Sequence, residues 1–433
     1  MYRTLKSPLN IQVELTQQCN VVCRHCYNYF RHKNDPKYSL TKSDIDKMVE
    51  EFQKNQVMRG VITGGEPLKH SRLAIYLAQK MTANNMRVTL NSNLSLFTEE
   101  IGRELKEVNV KAFLVSLIAD DPKIHDWVTQ KPGSHQQTIA GIKLAVGMGF
   151  RILINMVLTN WNIDRVQQTG DLVGSLGVNK FGATRACAPG PIAVGFTEHL
   201  ISIENLRRSL DILDHLKQKW GYEIDVFEHY PWCALSDVRR FSHLARRKCT
   251  AGITSASIGA DGQLRPCGHS SRVYGSVLEE GLKIPWMRMT DWREQVYSQA
   301  CSDCKYFRLC TGGCPVEAGN SKTGKDHHCT DQNDVISLPE KEEYPIINSD
   351  LELKIPNSVV LREEEFGGII GSGSGGNSLV DHKTFNILVG LRHQTSFSAR
   401  SVSVEYELDL SEITEFFSRL KFQNLIQPKE VRT

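Results

Sequence analysis

Apolar residues in the first half of the chain fall into two alternating patterns. Short continuous runs at 11–15, 61–63, 86–90, 112–117, 152–158 and 181–184 read as buried strands. Between them, apolar positions recur at three- and four-residue spacing. Thr41 heads one such stretch as an N-cap, and Ile45, Met48, Val49 and Phe52 share one face of the helix predicted through Lys54. Helices are predicted in the same way over 71–85 and 138–148. Repeated strand–helix units imply a parallel sheet with right-handed crossovers. The fold class is therefore α/β, and about six units give a partial (β/α)6 TIM-like barrel, short of the eight of a closed one.

The pattern changes twice beyond residue 225. Asp261-Gly262 is a two-residue hairpin signal between short strands at 255–258 and 263–265. After Cys329, the segment from Leu338 to Tyr344 is a charged linker without periodicity. Residues 359–362 then read as a strand, and 367–379 as a Gly/Ser-rich turn between short strands, because Gly-Ser-Gly-Ser-Gly-Gly supplies positions of positive φ. Phe385, Leu388, Val389 and Leu391 mark a short helix. Asp409 or Ser411 caps a better one carrying Ile413, Phe416, Phe417, Leu420 and Leu425. Three domains are expected: the barrel over 1–225, a cysteine-rich domain over 226–335 and a small winged-helix-like α+β domain over 345–433.

The length of 433 residues is consistent with about three domains. A formal net charge of +3 makes no bulk electrostatic case for nucleic acid or an anionic membrane as partner. Residues 1–18 contain no charged-then-apolar leader, and no run reaches the ~18 apolar residues of a spanning helix, so a cytoplasmic location is expected. Twelve cysteines in a reducing compartment favour metal binding or catalysis over disulfides. They divide into a triad, a later group of seven, and Cys187 and Cys233 standing apart.

The triad is Cys19, Cys23 and Cys26. Three thiolates can hold three irons of a 4Fe–4S cube, whereas four cysteines normally close one. The fourth iron is then open to another ligand. A Cys3His zinc site using His25 is the alternative from this segment alone. After the next strand comes Gly64-Gly65-Glu66-Pro67, where the glycines allow close approach of backbone to a ligand and a carboxylate can accept from a cationic amine. The triad spacing followed by Tyr27, with Gly-Gly-Glu-Pro about 40 residues on, resembles the radical S-adenosylmethionine (radical SAM) enzymes. The resemblance implies that SAM fills the open iron through its amino and carboxylate groups. One electron then breaks a C–S bond and yields a 5′-deoxyadenosyl radical.

Weaker matches to the same family follow. Ser92-Asn93 looks like its Thr-Asn-Gly segment, with Leu94 in place of glycine. Ser116 stands where the family often has Ser-x-Asp-Gly on the ribose; here Ile118-Ala119 replace Asp-Gly, leaving Asp120 or Asp121 as substitutes. Asn155 and Arg185 match polar positions that face SAM, and Tyr27 is a candidate to pack on adenine. Each has an ordinary structural reading as well. His125 and Asp126 are candidates for base chemistry, on a helix approach where solvated polar residues are common.

The seven later cysteines run Cys249, Cys267, Cys301, Cys304, Cys310, Cys314 and Cys329. Their order and spacing are similar to the SPASM extension of radical SAM enzymes. The resemblance implies two auxiliary 4Fe–4S clusters, one on Cys301, Cys304, Cys310 and Cys329, the other on Cys249, Cys267 and Cys314. Some relatives have another Cys about six residues after the first, where Ser255 stands here. The inner cluster therefore either keeps an open iron or takes a fourth ligand from Cys187, Cys233 or a carboxylate. Cys187 is also the candidate catalytic side chain, placed to line the pocket.

The C-terminal order of strands and helices resembles the PqqD-like domains that bind leader peptides of ribosomally made, post-translationally modified peptides. A winged helix that reads DNA needs Lys and Arg on its recognition element. Here the last helix and its approach carry Glu405, Glu407, Asp409, Glu412 and Glu415, which repel phosphate. Strand addition of a leader to an exposed sheet edge is the expected binding mode. Together these resemblances imply a peptide maturase that takes hydrogen from an unactivated carbon, receives electrons from a donor such as flavodoxin or ferredoxin, and forms an oxidative C–C or C–S cross-link. Formylglycine formation as in anaerobic sulfatase maturases, redox-neutral epimerisation, and a non-catalytic iron–sulfur or zinc scaffold are the alternatives.

Overall fold

The computed structural model describes residues 4–28, 38–187, 196–295, 301–340, 342–373 and 376–429. Its largest sheet has nine strands: β1 (Asn10–Glu14), β2 (Arg59–Thr63), β3 (Arg87–Ser92), β4 (Ala112–Ser116), β5 (Arg151–Leu158), β6 (Lys180–Arg185), β7 (Glu223–Asp225), β8 (Ser255–Ile258) and β9 (Leu264–Arg265). The order is β7-β6-β5-β4-β3-β2-β1-β8-β9, and every neighbouring pair but β8–β9 is parallel. The six expected strands form its centre. Glu-Ile-Asp of β7 and Ser-Ala-Ser-Ile of β8 extend it at either edge. β8 is the first strand of the hairpin predicted at 255–258, here joined in parallel to β1, whereas β7, at three residues, is too short to stand out in the sequence.

Helices α1 (Lys42–Lys54), α2 (Ser71–Ala83), α3 (Glu99–Glu107), α4 (Pro122–Thr129), α5 (Ser134–Gly147), α6 (Val166–Ser175) and α7 (Ile203–Trp220) accompany the parallel strands. In α1 the Thr41 side chain accepts from the Asp44 amide while Asp44 accepts from the Thr41 amide, a reciprocal cap whose loss costs about 1 kcal/mol. Ile45, Met48, Val49 and Phe52 are all buried, as the periodicity predicts, each stabilising by roughly 1.5–3 kcal/mol. β5 alternates strictly: Ile152, Ile154, Met156 and Leu158 are buried in the core, while Asn155 and Val157 face the barrel interior. Barrel sites form at the C-terminal ends of such strands.

The hairpin after β8 differs from the two-residue expectation. The Gly259 amide bonds the Gln263 carbonyl at 3.0 Å, the Gly262 amide bonds the Gly259 carbonyl at 2.9 Å, and Gly262 has φ 74°. That is a three-residue loop closing on a left-handed glycine.

In the C-terminal part, β10 (Leu353–Lys354) pairs with β14 (Gln427–Pro428). Strands β11 (Val359–Glu364), β12 (Gly367–Ser372) and β13 (Asn377–Val380) form an antiparallel meander, followed by helices His382–Arg392, Ala399–Tyr406 and Leu410–Phe422. The expectation of a Gly/Ser-rich turn over 367–379 is thus corrected, except at 374 and 375, which lie outside the described residues. Glycines occupy this segment because it passes close to other atoms: a Cβ on Gly368 within β12 would lie 2.1 Å from the Phe385 ring, and one on Gly373, just past its end, 2.6 Å from Arg87 Cβ. The helix Ala399–Tyr406 was not expected, since only Ala399 and Val402 of it are buried. Asp409 rather than Ser411 caps the last helix, and Leu425 lies beyond its end.

This unit is docked on the N-terminal end of the barrel. Ile369 joins the barrel core and its neighbour Ile370 the C-terminal core. Arg362 and Glu364 are both buried, 2.7 Å apart. The Arg362 guanidinium donates to Ser7 Oγ and Ser7 O, both at 2.9 Å, and to Asn55 O at 3.2 Å; Glu364 accepts from the Lys6 amide at 2.8 Å. Ser7 precedes β1 and Asn55 precedes β2, so this contact lies at the opposite end from the strand C-termini.

Candidate active site

At the C-terminal ends of β1 to β6 lies a cavity of about 400 Å³ whose walls include Cys19, Cys23, Cys26, Tyr27, Gly64, Gly65, Ser92, Asn93, Ser116, Asn155, Arg185 and Cys187. The triad loop leaves β1 and is clamped from two sides. From β2, the Gly65 amide bonds the Thr16 carbonyl at 2.6 Å and the Glu66 amide bonds the Gln18 carbonyl at 2.8 Å. From α4, the Thr129 and Val128 carbonyls accept from the Val22 and Arg24 amides at 3.0 and 2.9 Å. Gly64 has φ 142°, and a Cβ on it would lie 2.4 Å from Thr16 O; one on Gly65 would lie 2.0 Å from Gln18 O. Only glycine lets β2 press on the loop that carries the thiols.

Glu66 serves this arrangement from behind. It is buried, caps the short turn Pro67–His70, and its carboxylate accepts from the Leu68 amide (2.9 Å), the Asn93 amide (2.9 Å) and the Ser92 hydroxyl (2.8 Å). Burial raises its pKa against the pull of those donors. Glu66 thus positions Ser92 and Asn93, while Gly64 and Gly65 line the cavity. Pro67, at the first position of the turn, is away from the cavity wall.

The two acidic substitutes are engaged elsewhere. Asp120 accepts from Arg165 Nε at 3.0 Å, and Asp121 caps α4. His125 instead faces the cavity from α4. Its Nδ1 accepts from the Ile118 amide at 3.3 Å, and burial lowers its pKa to about 4, so the ring is neutral with its proton on Nε2. Asp126 accepts from the Gly133 and His135 amides and Ser134 at the start of α5, which accounts for it structurally. Asn155 Oδ1 is buried without a hydrogen-bond partner. An orphaned acceptor in the same cavity as the backbone cradle of two glycines fits a ligand bearing donors.

Arg185 lines the cavity and is also held from the side of the cysteine-rich segment. Its guanidinium is fully buried, donates to both oxygens of Asp326 at 2.6 and 2.5 Å, and donates to His328 Nδ1 at 2.6 Å. Glu228 lies 3.5 Å away. Asp326, His327 and His328 hold three ligand atoms within 4.8 Å of one another, but the guanidinium already supplies the cation there. Asp326 also accepts from the Cys314 amide at 2.8 Å.

All twelve cysteines are free thiols, and they gather in three groups. Beyond the triad, Cys301, Cys304, Cys310 and Cys329 line a cavity of about 280 Å³ together with Cys233, whose thiol contacts that of Cys329. Cys249, Cys267 and Cys314 form the third group, with Cys187 against Cys314. Cys267 and Cys187 both line the main cavity, which therefore runs from the triad to this inner group. Burial pushes the Cys19 and Cys310 thiols up to about 11 and raises Cys249 further. Such thiols ionise on binding a soft metal, releasing protons. The two leftover cysteines thus each join a group, which no spacing rule could show because β6 and the turn at Trp232–Ala234 lie far from their partners in sequence.

Residues 13–173 match the Radical SAM superfamily. The chain is 23% identical over 336 residues to the AdoMet-dependent heme synthase of Methanosarcina barkeri, covering 72% of this chain and 93% of that one. It is 25% identical over 358 residues to the mycofactocin maturase MftC of Mycolicibacterium smegmatis, covering 76% and 84%. In fold it resembles the crystal structure of Streptococcus suis SuiB bound to precursor peptide SuiA, with a TM-score of 0.61, 18% identity, and 75% and 76% of the two chains covered. A superfamily match that spans the triad and the Gly-Gly strand end agrees with the clamped thiols: the chain carries a radical SAM domain and is a radical SAM enzyme, with the 4Fe–4S cluster and SAM that this chemistry requires.

Proposed function

We propose that this enzyme modifies a ribosomally made precursor peptide and that the modification is an oxidative C–C or C–S cross-link. When bound, the 4Fe–4S cluster and SAM supply a 5′-deoxyadenosyl radical able to take hydrogen from an unactivated carbon. Cys19, Cys23 and Cys26 hold that cluster. Gly64 and Gly65 offer backbone to SAM, Glu66 and Pro67 fix the strand end, and Ser92, Asn93, Ser116 and Asn155 present polar groups from successive strands. Tyr27, whose ring lies 4.9 Å from that of His269, lines the cavity where barrel and cysteine-rich segment meet.

The observation that carries the oxidative reading is the single cavity reaching from the triad to Cys267 and Cys187. A substrate radical formed there lies next to a second thiol group, and auxiliary 4Fe–4S clusters on the inner and outer groups give it an electron outlet. A redox-neutral change has no need of one. The peptide reading draws on the three-strand, three-helix unit at 345–433. β13 is an edge of its sheet, with Leu379 about half exposed, where a leader strand can add. The mycofactocin maturase and the peptide-bound SuiB structure are in keeping with such a substrate. The three domains are assigned to 1–225, 226–335 and 345–433, in the cytoplasm, with a flavodoxin or ferredoxin as donor.

The experiment is anaerobic turnover with SAM, reductant and a candidate precursor peptide taken from any short open reading frame neighbouring this gene, followed by mass spectrometry. A cross-link removes two hydrogens and depends on the leader. An unchanged mass with an inverted centre indicates epimerisation, and leader-independent conversion of a Cys or Ser indicates formylglycine formation.

A further inference from the structure

The inner thiol group has a fourth member that comes from the barrel. Cys187 follows β6 directly, is buried, and has its thiol against that of Cys314. Its Sγ also donates to Glu228 Oε1 at 3.2 Å. This position is fixed from both sides. Arg185, at the end of β6, is held by Asp326, and Asp326 accepts from the Cys314 amide at 2.8 Å. The ion pair therefore sets the spacing between the end of β6 and the loop bearing Cys314.

We propose that Cys187 is the fourth thiolate of the inner auxiliary cluster, which is thereby closed on all four irons. The proposal rests on the auxiliary-cluster reading above. On ligation the S–H bond of Cys187 breaks, a sulfur–iron bond forms, and the proton leaves to solvent through the cavity; no oxidant or reductant is consumed. Four thiolates are the usual complement of a 4Fe–4S cube, and here Ser255 stands where some relatives place the missing one. Two consequences follow. The inner cluster joins barrel to cysteine-rich segment through its own ligands. It also has no iron available to bind a substrate atom, so it acts on the substrate only as an electron carrier. Glu228 is the competing ligand, and the ion pair with Arg185 together with the hydrogen bond from Cys187 places it behind the thiol.

The test uses full-length protein reconstituted with 57Fe, with the triad replaced by alanines to silence the first cluster, and Mössbauer and EPR spectra as readout. With Cys187 intact, added cyanide leaves the inner-cluster spectrum unchanged. In Cys187→Ala one iron becomes cyanide-sensitive. Cys187→Ser, which keeps the fold and an oxygen ligand, gives a closed cluster with a shifted spectrum, and Glu228→Gln leaves the spectrum as it was. Cyanide sensitivity with Cys187 present, spectra unaltered in both Cys187 variants, or a spectrum altered by Glu228→Gln alone overturns the assignment. Iron for a single cluster in the parent chain, instead of about twelve irons for three cubes, defeats the auxiliary-cluster reading itself and this inference with it.

Discussion

Arg185 and Asp326, 141 residues apart in sequence, meet with neither side chain exposed and with two N–H···O contacts of 2.6 and 2.5 Å. Arg185 ends a barrel strand, and Asp326 holds the amide of Cys314. The pair therefore ties the substrate cavity to the inner thiol group. The arginine holds the Asp326 carboxyl well below the usual carboxylate range, despite burial.

Breaking this pair from one side strands a charge in the interior. Arg185→Met is expected to cost about 3–5 kcal/mol, whereas the double variant Arg185→Met/Asp326→Leu recovers part of that loss. Anaerobic thermal melts of the three proteins measure both effects. A single variant that melts with the parent protein contradicts the burial of the pair.

Gly65→Ala forces a methyl group to within 2.0 Å of Gln18 O, so the triad loop must move. Reductive release of 5′-deoxyadenosine is expected to fall by roughly a hundredfold or more, on the principle that misplacement by about 1 Å costs that much. Gly147→Ala is the control, because nothing lies within 4 Å of its added methyl group. That variant should match the parent in activity. Equal activity in both variants contradicts the clamp.

The strands β1 to β6 were legible because each is an apolar run, and periodic helices over 41–54, 71–85 and 138–148 separate several of them. The triad and Gly-Gly-Glu-Pro were legible because local spacing carries their chemistry. What the sequence hid depends on distance along the chain. Glu66 looks like a ligand in its motif, and only the fold turns its carboxylate toward Ser92 and Asn93. Arg185 has the position of a cofactor contact, yet its partner lies in another segment. Gly371 in β12 and Gly373 just past its end read as a turn because a close approach to Met58 and Arg87 leaves no mark on local pattern.

Arg362 fastens the C-terminal unit to the barrel base, and Arg362→Met leaves Glu364 buried with only the Lys6 amide in place of its guanidinium partner. Loosening of the unit is expected, seen as faster proteolysis within 338–345 and a destabilisation of about 3–5 kcal/mol. The site is at the other barrel end, so SAM cleavage without peptide should stay near the parent rate while peptide turnover drops. Equal loss of both activities indicates a structural collapse and removes the case for a separable docking unit.

His125 gives the site a pH dependence whose sign follows from its burial. Its folded pKa of about 4 lies below the unfolded value of about 6.5, so between these limits the unfolded chain binds the extra proton. The contribution to stability is complete above about pH 6.5 and is lost as pH falls toward 4, by up to about 3 kcal/mol for the whole shift. His125→Gln, which does not titrate, should flatten this part of the stability profile. Its amide nitrogen can still present a donor to the cavity, so SAM affinity at pH 7.5 should fall less than in His125→Leu. Denaturation series from pH 4.5 to 7.5 with SAM-binding isotherms test both statements. A parallel pH slope in parent and His125→Gln shows that other groups, His229 foremost because burial lowers it to about 4 as well, carry the acid sensitivity.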